Sequence, residues 1–134
     1  MLKKILILCT KNSCRSIIAE GLINKYFPKI KAYSAGSNPS GKVNPNAKKL
    51  LIEEDAWSKE YHSKSIEEAL KYGPFDLVVT VCENAAKNCP AIPGAKTINI
   101  PFKDPDGKEY EEFVKTKEEI KKRLFNEIRK HFQV

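Results

Sequence analysis

Ile5-Leu6-Ile7-Leu8-Cys9-Thr10-Lys11-Asn12-Ser13-Cys14-Arg15-Ser16 is the stretch whose reading decides the fold. Apolar residues at consecutive rather than alternate positions mark a strand over residues 2–9 that is covered on both faces, as in a parallel sheet. Asn12 or Ser13 then caps a helix reaching about residue 27, with Ile18, Leu22 and Tyr26 recurring at four-residue steps and Pro28 at its end. Working outward, a short strand follows over 31–34, then a turn-rich stretch over 36–45. Asn44-Pro45 opens a second helix to about residue 54, since proline is favoured in a first turn. A third helix over 65–71 ends at Gly73-Pro74. Further strands are predicted over 75–81 and 96–100. A last helix over about 109–131 carries Phe113, Ile120, Leu124, Ile128 and Phe132 on one side. Strands alternating with helices indicate βαβ crossovers, hence an α/β domain with a four-stranded parallel sheet and helices on both faces.

The bulk properties agree. A chain of 134 residues suits one domain, and neither a repeat nor a linker divides it, so residues 1–134 read as a single unit. With 41% hydrophobic and 31% charged residues it is an ordinary globular mixture. No apolar run approaches the roughly 20 residues of a membrane span. Lys3 and Lys4 precede only four apolar residues, Ile5 to Leu8, where an export signal needs about 7–15. A cytoplasmic protein is expected. The net charge is +7, yet only Arg15, Arg123 and Arg129 are arginines. The lysines are spread along the chain instead of forming the clustered footprint of a nucleic-acid binder, and attraction of small anions fits as well.

Four cysteines remain to be placed: Cys9, Cys14, Cys82 and Cys89. A disulfide scaffold belongs to secreted chains, and the C-x2-C pairs of a zinc site are absent. Cys9 and Cys82 each close a predicted strand at its carboxyl end, where ligands of open α/β sheets bind. From Cys9 the motif runs cysteine, five residues, Arg15, Ser16. Five residues suffice to wrap successive N–H groups around a tetrahedral oxyanion, and the helix N-terminus adds positive potential. The candidate oxyanion-binding residues are Thr10, Lys11, Asn12, Ser13, Cys14, Arg15 and Ser16. Arg15 closes a bidentate pair on two oxygens. The same field is expected to lower the Cys9 thiol to about 4–7, with Ser16 steadying the thiolate. Cys14 is expected to pack beneath the loop. The arrangement resembles that of the low-molecular-weight protein tyrosine phosphatase fold, which leaves phosphoester hydrolysis and arsenate reduction both open.

The second cysteine pair separates these. Phosphoester hydrolysis needs no further thiol, whereas a reduction takes two electrons, which two thiols supply on forming a disulfide. Cys89 lies seven residues after Cys82, and the residues between read as a short helix. Seven residues of helix separate Cα atoms by roughly 10 Å, while a disulfide requires about 4.4–6.8 Å. A couple between them therefore requires the segment to unwind.

Taken with residues 9–21, Tyr33-Ser34-Ala35-Gly36, Val43-Asn44-Pro45, residues 77–90 and Phe102 to Asp104-Pro105, the chain resembles the thioredoxin-coupled arsenate reductase family over essentially its whole length. The resemblance implies a flavodoxin-like three-layer sandwich. It also implies Cys9 as nucleophile on arsenate, then a 9–82 disulfide, then an 82–89 disulfide that thioredoxin reduces. Asp104 is implied as a general acid, its carboxyl raised by the anion beside it; its plain alternative is opening the Asp104-Pro105-Asp106-Gly107 turn. No tightly bound cofactor is expected. In related reductases a potassium ion supports the loop, and Asn12, Glu20, Ser34 and Ser63 stand at the matching positions. A monomer is expected.

Two departures from the family stand out. Lys11 replaces a common glycine, and Asn99-Ile100-Pro101-Phe102 replaces a tryptophan-containing approach to the aspartate. The tyrosines usual beside a phosphotyrosine pocket are absent after Asp104-Pro105. A tyrosine phosphatase of the same fold, using Cys9, Arg15 and Asp104, is the rival reading. His62 and His131 have no assigned partner.

Overall fold

The computed structural model describes residues 2–82, 92 and 94–133. In chain order the elements are β1 (Lys3–Cys9), α1 (Arg15–Tyr26), β2 (Ile30–Gly36), α2 (Pro45–Glu53), α3 (Ile66–Ala69), β3 (Leu77–Thr80), β4 (Lys96–Asn99), α4 (Tyr110–Glu119) and α5 (Phe125–Phe132). A 3-10 turn (Leu70–Tyr72) extends α3, and a π-helical turn (Ile120–Leu124) joins α4 to α5. The strands pair in parallel in the order β2-β1-β3-β4.

Ile5 to Leu8 are at most 1% exposed, and burial of one such side chain stabilises by roughly 1.5–3 kcal/mol. Their alternate positions feed two cores. Ile5 and Ile7 join Leu77 and Val79 under α1, α2 and the C-terminal helices. Leu6 and Leu8 join Val78, Ile66, Ala69 and Phe75 on the opposite face. That division explains the consecutive apolar run: each neighbouring residue meets a different helical layer. The flavodoxin-like three-layer architecture is thus as the sequence predicts.

Two local expectations are corrected. The α1 N-cap is Cys14, without a side-chain cap bond, and neither Asn12 nor Ser13 fills that role. Asn12 instead takes a left-handed conformation, φ 50°, which a short polar side chain tolerates. Tyr26 is 42% exposed, outside the core stripe; its hydroxyl donates to Glu54 Oε1 at 2.8 Å. The C-terminal stripe holds for Phe113, Ile120, Leu124 and Ile128, all fully buried.

Because β1 lies between β2 and β3, the loops leaving β1 and β3 diverge at their carboxyl ends. This is the switch point at which open parallel sheets bind ligands. Cys9 ends β1, and Cys82 follows β3 by two residues.

Candidate active site

Residues 9–16 form a loop whose carbonyls are bound from outside. Cys9 O accepts from Ser37 N (3.2 Å), Thr10 O from Asn38 N (2.9 Å), Lys11 O from Ser40 N (3.0 Å) and Ser13 O from Asn44 N (3.0 Å). In a planar peptide an outward carbonyl turns the following N–H the other way. The amides thus face a cavity of about 180 Å3 lined by Cys9, Thr10, Lys11, Ser13, Cys14, Arg15 and Asp104. Clefts enclosing drug-sized ligands run to roughly 300–1,000 Å3, so this one suits a small tetrahedral anion. The turn-rich stretch over 36–45 is the loop's outer shell, a role its composition did not signal. Gly36 is where the shell comes closest: a Cβ there would lie 2.5 Å from Thr10 O, and only glycine permits that approach. Lys11 has no positive φ, so it replaces glycine without strain.

Arg15 is held on one edge. Its Nη1 donates to Phe102 O at 2.9 Å, and its Nη2 lies 3.5 Å from Asp104 Oδ2. Its buried Nε has no hydrogen-bond partner. Buried donors are normally satisfied, so the Nε–Nη2 edge is a fork presented to an incoming oxyanion. Asp104 opens the turn that its sequence predicts and also reaches Arg15. Its Oδ1 accepts from Asp106 N at 3.0 Å, closing the turn, while Oδ2 faces the arginine.

The two strand-end thiols meet. Cys9 and Cys82 are each 3% exposed and share a hydrogen bond. Thr10 Oγ1 lies 3.3 Å from Cys82 Sγ, a contact the sequence reading did not foresee. The expected depression of Cys9 is reversed here: the Cys82 hydrogen bond and burial push its thiol up, against the downward pull of Arg15 and the Thr10 N–H. The sequence contained the loop field but not a second thiol pressed against the first. Ser16 does not serve Cys9; its Oγ accepts from Asn12 Nδ2 at 2.8 Å. Cys14 is buried, and burial raises it to about 11, so it stays a protonated bystander beside Ser13. Cys89 and the predicted helix after Cys82 lie outside the described residues.

Beneath the loop runs a buried chain. Asn12 Nδ2 donates to Ser34 Oγ (2.9 Å), and Ser34 Oγ donates to Glu20 Oε1 (2.5 Å). Asn12 Oδ1 accepts from Lys64 N at 2.8 Å. Ser63 is elsewhere, bridging Lys11 O and Gly41 N. The potassium set Asn12, Glu20, Ser34 and Ser63 therefore does not fit an ion as a group. One member stands apart, the amide oxygen is taken, and the amide presents N–H groups to its neighbours. Lys64, only 4% exposed, supplies positive charge there and pulls Glu20 down. Burial outweighs it and lifts Glu20 to about 7. Sequence gave no signal for Lys64, since lysine is ordinarily solvated. His62 sits at the surface between Glu60 O (2.8 Å) and Glu68 Oε2 (2.6 Å).

The family described as low molecular weight phosphotyrosine protein phosphatase matches residues 4–133. An arsenate reductase of Bacillus cereus (strain 03BB102) is 40% identical over 130 residues, 94% of this chain and 96% of that one. The crystal structure of arsenate reductase from Archaeoglobus fulgidus superposes with a TM-score of 0.75 at 31% identity, covering 90% of this chain and 94% of that chain. An arsenate reductase solved in the phosphate binding state gives a TM-score of 0.76 at 29% identity, with 96% and 98% covered. Among the described residues, no helix is long and apolar enough to cross a membrane.

Proposed function

The chain belongs to the low molecular weight phosphotyrosine protein phosphatase family, and within it we propose that this protein is an arsenate reductase. The observation that carries this reading is the hydrogen-bonded pair Cys9 and Cys82 at an oxyanion loop. Hydrolysis has no use for the second thiol; a two-electron reduction has.

Arsenate enters the amide-lined loop, and the Nε–Nη2 edge of Arg15 takes two of its oxygens. Cys9 sulfur attacks arsenic, and one oxygen leaves as water. The protons that water needs come from the Cys9 thiol and from Asp104 or the anion itself. Cys82 sulfur, held by Thr10, then attacks Cys9 sulfur. The S–As bond breaks with its electron pair on arsenic, which falls from the pentavalent to the trivalent state and leaves as arsenite. The two thiols have together lost two electrons and become a 9–82 disulfide. Cys89 attacks Cys82 next, freeing Cys9, and thioredoxin reduces the 82–89 bond. All these residues belong to one chain, so a monomer suffices, and the thiols' need for a reducing compartment fits the cytoplasm.

Peptide mapping after arsenate exposure tests the scheme. Wild type yields an 82–89 bridge and Cys89→Leu a trapped 9–82 bridge; a phosphatase would yield neither. Arsenite release should proceed with thioredoxin and not with a glutathione-based system. Multiple turnovers by Cys89→Leu would contradict the relay.

A further inference from the structure

The segment between β4 and α4 carries Asp104, and it is gripped at two successive carbonyls by two arginines from different elements. Pro101 O accepts from Arg123 Nη1 at 2.9 Å. Phe102 O accepts from Arg15 Nη1 at 2.9 Å. The Arg123 guanidinium also lies 4.8 Å from the centroid of the Phe102 ring, a cation–π contact. That ring is itself 5% exposed, packed into the core. On the opposite side the backbone is pinned to the strand leading to Cys82, with Phe102 N donating to Val81 O at 2.9 Å.

Arg123 comes from the π-helical turn Ile120–Leu124. A π-turn is wider than an α-turn and re-aims the side chains within it. Here it directs a guanidinium at the Asp104 segment.

From this arrangement we propose that Arg123 is a positioning residue for the reaction. It fixes Pro101-Phe102 so that the Phe102 carbonyl holds Arg15 by its rear edge and Asp104 stands at the mouth of the loop. The inference rests on the roles given above to Arg15 and Asp104. It explains why the chain does without an aromatic approach containing tryptophan: Phe102 supplies the flat face and Arg123 stacks on it. Lysine would donate to Pro101 O but would lack the planar stacking surface.

Arsenate titrations of the full chain with thioredoxin test this in R123Q, R123K and R129Q. Arg129 is the control, because it stacks on Phe27 at the end of α1 and on Phe125 of its own helix α5. R123Q should lose about tenfold in kcat/KM, since small misplacements at a reacting centre cost up to about a hundredfold. R123K should recover part of that loss, and R129Q should match wild type. The thermal midpoint of R123Q should stay near that of wild type. In a D104N background, R123Q should add clearly less than its own tenfold to the loss, because part of its effect passes through Asp104 and only the part through Arg15 remains. A change under twofold in R123Q, an equal loss in R129Q, or full additivity with D104N would overturn the proposal. D104N and R15Q report on the underlying reading separately. If both kept full activity that reading would fall; if both lost activity and R123Q did not, only the role of Arg123 would fall.

Discussion

The two halves of the site are built in opposite ways. The loop after β1 is bolted from every side: its carbonyls are bound by residues 37–44, its Asn12 by Ser16, Ser34 and Lys64, and its back by Gly36. The segment after β4 is held at its edge by two arginines, and Asp104 keeps 46% of its side chain exposed. The difference follows from the chemistry. An anion cradle and a nucleophile work by preorganisation, which needs fixed donors. A proton donor must exchange protons with water between turnovers, so burying it would isolate it. Changes to the contacts that hold the loop backbone should therefore damage both fold and activity, and changes to the segment activity alone.

The largest effect belongs to Cys9→Ser. Arsenite production should vanish while circular dichroism and the thermal midpoint stay near wild type, since Ser nearly matches Cys in volume. Residual turnover would remove Cys9 from its role. Gly36→Ala comes next and tests the loop side of the contrast. Its Cβ would force the backbone at Thr10 to move, with an expected loss of about a hundredfold in kcat/KM and of roughly 1–3 kcal/mol in stability. Urea unfolding that showed no destabilisation would mean the loop is less tightly bound than drawn. Asp104→Asn tests the other side: kcat should fall by about a hundredfold, within the usual range for a general acid, with the urea midpoint unchanged.

The smallest effect concerns the buried chain under the loop. Glu20 holds its proton up to about pH 7 when folded, against an ordinary value of 4.5. Between these values the folded state binds more protons than the unfolded state. Stability should therefore fall as pH rises from about 4.5 to about 7 and level off above that. The decline should be about 3 kcal/mol, at 1.36 kcal/mol per pKa unit. In Glu20→Gln it should be missing from urea midpoints taken at pH 5 and pH 8. An identical slope in the variant would place the pH dependence elsewhere.

Several site residues were readable from local pattern. Cys9, Arg15 and Cys82 stood out because a strand end and a helix start are local events, and ligands collect there. Asp104 stood out through its turn. Others were hidden because their roles are long-range. Lys64 looks like any solvated lysine until Asn12 captures its backbone N–H. Thr10 touches Cys82 across 72 positions of sequence. Tyr26 followed the four-residue rhythm yet lies outside, because it is the last residue of α1, beyond the buried run that ends at Ile23, and its hydroxyl reaches Glu54 instead.

Sequence by itself determined the alternating architecture, the anion loop and which cysteine opens it, because each depends on residues near one another along the chain. Only the tertiary structure decided how closely Cys82 meets Cys9, what pushes the Cys9 proton affinity up, why Ser63 stands apart from Asn12, Glu20 and Ser34, and which arginine reaches the Asp104 segment. Those depend on distances between segments far apart in sequence, and electrostatics and hydrogen bonding respond to distance in space.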